Sequence, residues 1–210
     1  MVRSNISMAK TEGSEPPRIG MFGGTFNPVH VGHLLFAETA REQLKLDRVC
    51  FIPTGQPPHK SAKDVLPGVV RVQMLQLAIQ DNPAFVVSDI ELQRKGPSYT
   101  IDTLRVIKAQ VPAAKLFLLI GQDMLAVRWL AWSEMKRLCQ VVVVHRPGCR
   151  VRSRQPRLTQ LAMPQVDISS SDIRARLKAG RSIRYLVPAA VERYIRQRQL
   201  YVRPRESVSP

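Results

Sequence analysis

The chain has 210 residues, 44% hydrophobic and 23% charged, which suits one globular domain with a real core and excludes an intrinsically disordered chain. Cys50, Cys139 and Cys149 are odd in number, widely spaced and lack a CxxC pair, which speaks against a disulfide framework or a zinc site and fits a reducing cytoplasm. The formal net charge is +16, and from His145 onward fifteen Lys and Arg stand against four Asp and Glu, a field that favours nucleic acid, acidic lipid or small phosphorylated substrates.

Residues 1–17 mix charged, small polar and proline residues without an apolar stretch, so they read as a tail with no secretory h-region. The longest apolar runs, Leu116 to Ile120 and Val141 to Val144, fall far short of the roughly 20 residues that span a bilayer, so no membrane segment is expected. From Ile19 the chain alternates short apolar runs with helical patterns. Strands are expected at 19–22, 49–53, 85–90, 115–120 and 141–145, with helices near 31–46, 69–80, 99–110 and 129–138. Several of these strands are apolar throughout, as when helices cover both faces of a parallel sheet. An exposed Arg-, Pro- and Gly-rich loop at 146–157 precedes a strand near 161–166 and helices near 170–179 and 188–200. The expected class is α/β: a Rossmann-like open doubly wound parallel sheet over 18–202, with a small helical C-terminal subregion at about 168–202 and a tail at 203–210. In such folds ligands sit outside the carboxyl ends of the strands.

The segment Gly20-Met21-Phe22-Gly23-Gly24-Thr25-Phe26-Asn27-Pro28-Val29-His30-Val31-Gly32-His33 joins the first strand to the first helix. Gly23 and Gly24 let the backbone turn sharply and approach a ligand, and Asn27-Pro28 adds a second bend. The following helix N-terminus attracts phosphate, and His30 and His33, three residues apart, project from one side of its first turn. The glycines do not fit GxGxxG, and no GxxxxGK[ST] string occurs, so neither the dinucleotide fingerprint nor an NTPase phosphate loop is present.

HVGH within GGTFNPVHVGH resembles the (H/T)xGH signature of the nucleotidyltransferase superfamily, and the longer string resembles the bacterial nicotinate mononucleotide adenylyltransferases. Further segments agree in order and register. PPHK after the second strand would place His59 and Lys60 beside the reacting phosphates. Ser98 can cap the third helix, and by resemblance the helix start at Thr100 gives amide donors to a pyridine carboxylate. Gly121-Gln122-Asp123 ends the fourth strand, where Gly121 permits close approach and Asp123 can bind ribose hydroxyls. WxxWxEM resembles the family's pattern, and the resemblance implies that Trp129 stacks on the pyridine, although the loop from Asp123 to Trp129 is shorter than the family's. Ile168-Ser169-Ser170-Ser171-Asp172-Ile173-Arg174 resembles ISSTxIR with Ser171 in place of Thr; its amides, hydroxyls and Arg174 would hold the β and γ phosphates of ATP. Arg146, in an HRPG turn, is assigned to the adenine side.

The resemblance implies that the chain transfers the adenylyl group of ATP to nicotinate mononucleotide, releasing pyrophosphate and making nicotinate adenine dinucleotide, with Mg²⁺ accompanying ATP. His30, His33, Lys60 and Arg174 are the expected catalytic residues. Gly23, Gly24, Thr25, Phe26, His33, Gly121, Asp123, Arg146, Ile168, Ser170, Ser171 and Arg174 would bind ATP. Thr25, His59, Lys60, Thr100 and Trp129 would bind the pyridine nucleotide. No protein-held metal is expected, and a homo-oligomer is compatible with the chain. The rivals are an adenylyltransferase for nicotinamide mononucleotide or phosphopantetheine, and a basic nucleic-acid-binding protein; the latter lacks RNP aromatics and zinc-finger spacing.

Overall fold

The structure is a computed structural model that describes residues 15–56, 65–127, 129–144, 158–164 and 166–202. Its six parallel strands are β1 (Arg18–Gly24), β2 (Arg48–Pro53), β3 (Phe85–Val87), β4 (Lys115–Gly121), β5 (Gln140–Val144) and β6 (Thr159–Leu161). They lie in the order β3-β2-β1-β4-β5-β6. β1 runs beside both β2, with Gly20 opposite Val49, and β4, with Phe22 opposite Leu119. The helices are α1 (Val31–Gln43), α2 (Gly68–Ile79), α3 (Thr100–Gln110), α4 (Trp132–Leu138), α5 (Ser170–Lys178) and α6 (Ala189–Gln197).

The uniformly apolar strands are explained by two cores, one on each face of the sheet. Successive strand residues point to opposite faces. Leu116, Leu118 and Ile120 of β4 therefore meet α3 and α4, whereas Phe117 and Leu119 enter the core formed with α1 and α2. In β5, Val141 and Val143 take the first face, and Val142 and Val144 take the second. Burying each such side chain contributes about 1.5–3 kcal/mol, so a polar residue at any of these positions would be costly on either face. Ile173 of α5 and Val191 and Ile195 of α6 join the α1/α2 core. The helical C-terminal segment is thus packed onto the main sheet.

Three boundaries differ from expectation. The last strand is Thr159–Leu161, not 161–166; its final pair sets Leu161 opposite Val144, the last residue of β5. The helix expected from Trp129 begins at Trp132; before it, Gln122–Ala126 forms a 3₁₀ turn, and Ala131 takes a left-handed φ of 53° that sets the new direction. β3 stops at Val87: the Ser88 amide still donates to Phe51 O at 2.9 Å, but the Leu92 amide then turns back to Asp89 O at 2.8 Å. Of the expected tails, 203–210 and all but 15–17 of the first lie outside the described residues. Pro17 already accepts a hydrogen bond from the Lys115 amide at 2.8 Å. No described helix is long and apolar enough to cross a membrane.

Strand order reverses between β1 and β4. The loops leaving these two strands diverge there, opening a crevice at their carboxyl ends.

Candidate active site

A cavity of about 1180 Å³ occupies this crevice, more than the 300–1,000 Å³ usual for one ligand, so it has room for two. Gly23 and Gly24 from β1, Thr54 after β2, and Ile120 and Gly121 from β4 all reach it. Gly23 is exposed, and a β-carbon built there meets no atom within 4 Å. Its missing side chain therefore leaves space in the cavity and relieves no crowding within the protein.

Beyond Gly24 the chain makes a compact turn. Thr25 lines the cavity, the Asn27–Pro28 peptide is cis, and Phe26 takes a left-handed φ of 48°. That conformation costs a β-carbon-bearing residue about 1–2 kcal/mol, which burial of the Phe26 ring offsets. The ring lies edge-on to Phe22 at 5.4 Å and to His33 at 5.0 Å between centroids. The aromatic core therefore braces the imidazole beside it.

His30 precedes α1 and His33 lies in its first turn; both line the cavity, and their rings stack with centroids 3.6 Å apart. The expected convergence of the two histidines is thus a direct stack. His33 Nδ1 accepts the His30 amide at 3.2 Å, so the neutral ring carries its proton on Nε2 and can donate from that atom. His30 is 2% exposed, and its main chain fixes the His33 tautomer.

The second helix start comes from far along the chain. Ser169 caps α5 by accepting the Asp172 amide at 3.1 Å. Ser170 Oγ donates to Pro28 O at 2.8 Å, and Arg174 Nη1 donates to Asn27 O at 2.9 Å. Arg174 Nη2 also donates to Ser171 Oγ at 3.2 Å. The α5 N-terminus is therefore bonded to the turn that leads into α1, at one wall of the cavity, which Ile168, Ser170, Ser171 and Arg174 line. The positive ends of two helix dipoles and one guanidinium there create a preference for anions.

Across the cavity stands the start of α3, where Tyr99 and Thr100 line the wall. Ser98 does not cap this helix, contrary to expectation; Tyr99 holds the cap position without a side-chain bond. Ser98 Oγ instead accepts the Gln56 amide at 3.2 Å, and the Ser98 amide donates to Gln56 O at 2.9 Å. Pairing with the β2 exit loop draws the serine away from the helix. Trp129 lines the same end; its indole N–H donates to Met124 O at 2.8 Å, and its ring lies 5.9 Å from that of Trp132. Between the two tryptophans, Trp129 is the one that reaches the cavity.

Asp123 lies in the 3₁₀ turn directly after β4. His59, Lys60 and Arg146 lie outside the described residues. Among the described residues, no group of three His, Cys, Asp or Glu is arranged to hold a metal ion.

Sequence reading missed two buried polar residues, Glu91 and Arg71, and the partly buried Tyr201. Glu91 lines the cavity at 6% exposure, and burial raises its carboxyl above the ordinary range. Opposing that rise are the hydroxyl of Thr103, the charge of Arg94, Ser98 and the Gly55 amide. Arg71 of α2 is 2% exposed, and Tyr201 follows α6 with its hydroxyl against Asn27. A signal existed for Arg71: it shares its helix face, at i+3 and i+4, with the fully buried Met74 and Leu75. Glu91 and Tyr201 carry no such periodic mark.

Comparison with known proteins agrees with this geometry. A family model described as cytidylyltransferase-like matches residues 21–176. A protein of Thermus thermophilus named probable nicotinate-nucleotide adenylyltransferase is 48% identical over 188 residues, covering 88% of this chain and 99% of its own. Its namesake in Thermomicrobium roseum is 42% identical over 196 residues, with coverage of 88% and 91%. Among solved structures, the Plasmodium falciparum nicotinic acid mononucleotide adenylyltransferase complexed with NaAD superposes with a TM-score of 0.75 at 17% identity, covering 88% of this chain and 97% of that one. The fold follows from the superposition, and the membership from the sequence relatives: the chain belongs to the cytidylyltransferase-like family and, within it, to the nicotinate-nucleotide adenylyltransferases.

Proposed function

We propose that the chain transfers the adenylyl group of ATP to the phosphate of nicotinate mononucleotide, forming nicotinate adenine dinucleotide and pyrophosphate in NAD biosynthesis. One observation carries this reading: a single cavity has the α5 N-terminus, bonded to the turn that leads into α1, at one wall and the α3 N-terminus at another. The first wall suits a polyphosphate, and the second suits a lone carboxylate. The curated relatives bear the matching name.

The acceptor phosphate carries about −1.5 to −2 charge near neutral pH, so it is ionised without a general base. One of its oxygens bonds to the α-phosphorus of ATP as the bond from that phosphorus to the β-bridging oxygen breaks. Pyrophosphate leaves with the electron pair. No covalent link to the protein is needed. Catalysis is then positioning and stabilisation of charge.

His33, donating from Nε2, and Arg174 are assigned to the ATP phosphates, with His30 holding the His33 tautomer. Gly23, Gly24, Thr25 and Phe26 bring main chain to the same groups, and Gly121 and Asp123 take the ribose. His59 and Lys60 are assigned to the acceptor phosphate, Thr100 to its carboxylate and Trp129 to its ring. Mg²⁺ would be held by substrate phosphate oxygens and water, since the described wall offers cations, amides and hydroxyls and no carboxylate cluster. There it would supply charge neutralisation.

Pyrophosphate release with ATP and each of three acceptors tests the assignment. Nicotinate mononucleotide is expected to exceed nicotinamide mononucleotide and phosphopantetheine in kcat/KM by at least about tenfold, because only the first offers an anion to α3. Equal or better use of either other acceptor overturns the substrate assignment. Salt-dependent RNA binding with no pyrophosphate release would favour a nucleic-acid-binding role.

A further inference from the structure

The loops facing the substrates are held by more than the sheet. Arg71 Nη1 donates to Thr25 O at 2.8 Å in the turn after β1, and Nη2 donates to Thr54 O at 2.8 Å where β2 ends. Nε donates to Leu66 O at 2.9 Å, just before α2. One planar guanidinium thus reaches three carbonyls on three segments, a geometry that an ammonium cannot reproduce. Thr54 and Leu66 bracket the stretch of sequence that contains His59 and Lys60. Both ends of that stretch are tied to the phosphate turn.

Asn27 provides a second fastening. Its Oδ1 accepts the Leu66 amide at 3.2 Å and the Tyr201 hydroxyl at 2.8 Å, while its main-chain oxygen accepts Arg174. Tyr201 comes from 174 residues away. Burial pushes its hydroxyl well above the ordinary range, so it stays protonated and remains a donor. The phosphate turn, the entry to α2, the α5 cation and the chain after α6 therefore meet at one asparagine. None of these bonds belongs to a helix or sheet ladder.

We propose that Arg71 and Tyr201 are positioning residues for adenylyl transfer, holding the exit of β2 at Thr54 and the entry to α2 at Leu66 in register with the turn that contains Thr25 and Asn27. The inference rests on the reaction proposed above, in which His59 and Lys60 are assigned to the acceptor phosphate and the turn after β1 to ATP. In-line attack is sensitive to such registration: a misplacement of about 1 Å can cost about 10²-fold in rate.

Tyr201→Phe tests the proposal by removing one oxygen while keeping the ring. Steady-state kinetics for both substrates are measured at a temperature where circular dichroism shows the variant fully folded. Loss of registration is expected to lower kcat/KM for nicotinate mononucleotide about tenfold while KM for ATP stays within about twofold. A purely structural role would lower the melting temperature and scale kcat with the folded fraction, leaving both KM values unchanged; that result overturns the proposal, as do wild-type kinetics. Arg71→Lys keeps the charge and loses the fork, so it is expected to show the same split more strongly, and unchanged kinetics there also contradict the proposal. Wild-type protein that makes no dinucleotide from ATP and nicotinate mononucleotide refutes the reaction itself. An active wild type with an indistinguishable Tyr201→Phe refutes only the positioning role.

Discussion

Gly23→Ala separates a glycine kept for the substrate from one kept for the fold. Gly23 is the next-to-last residue of β1, lies opposite Ile52 in the parallel pair and is outside the left-handed region of φ. The added methyl would meet no protein atom within 4 Å, so no contact is lost and no strain is created. Reducing the freedom of the unfolded chain then stabilises the protein by about 0.4–1 kcal/mol, a rise of roughly 1–4 °C in Tm for a chain of this size. Activity is expected to move the other way. The methyl projects into the cavity between the turn and the phosphates, and a displacement of about 1 Å there costs about 10²-fold in kcat/KM, or about 2.7 kcal/mol. Thermal unfolding and pyrophosphate-coupled kinetics on the same preparation read both effects. A drop in Tm would show that the glycine serves the fold, and kcat/KM within about threefold of wild type would show that substrate does not approach this backbone.

Three further expectations follow from buried groups. A β-carbon on Gly55 would run into the Glu91 carbonyl and stand 2.9 Å from Ser98 Oγ, so Gly55→Ala should cost about 1–3 kcal/mol and lower Tm by roughly 3–10 °C; an unchanged Tm contradicts the packing. Burial raises the Glu91 carboxyl above its ordinary 4.5 despite the opposing hydrogen bonds, so the native state binds this proton more readily than the unfolded chain. Its contribution to stability is full below the ordinary value and is lost as pH rises through the raised one. Glu91→Gln cannot titrate, so denaturant melts should show the variant gaining stability relative to wild type as pH rises above the ordinary carboxyl value; a gap that does not change with pH refutes the assignment. The Cys50 and Cys139 thiols are pushed up to about 12 by burial. With a thiolate fraction of roughly one in ten thousand at pH 8, both should stay unmodified when native protein is treated with iodoacetamide and its peptides are mapped; rapid labelling of Cys50 contradicts its burial.

The legible parts of the fold were those with a local cause. All-apolar strands announced a sheet covered on both faces, and the alternation of Leu116 to Ile120 between two cores is the structural form of that signal. The phosphate turn was legible because its glycines, proline and histidines each have a backbone or anion-binding purpose. Element ends are less so: β6 ends where its partner β5 ends, and α4 begins late because Ala131 turns left-handed. Ser98 was misassigned because its partner, Gln56, is 42 residues away, and helix-cap chemistry weighs only near neighbours. The same distance hid Tyr201, whose partner Asn27 is 174 residues off. Local composition cannot mark such a pairing, whereas Arg71 was marked by being a cation on an apolar helix face.

Transfer itself is followed most directly with ATP labelled at the α-phosphorus and nicotinate mononucleotide as acceptor. The geometry predicts one labelled dinucleotide per pyrophosphate released, no label on the protein, and a fall in turnover of about 10²–10³-fold in His33→Ala, which loses the Nε2 donor. Label appearing in free AMP, or retained covalently on the protein, or an undiminished rate in His33→Ala, would contradict it.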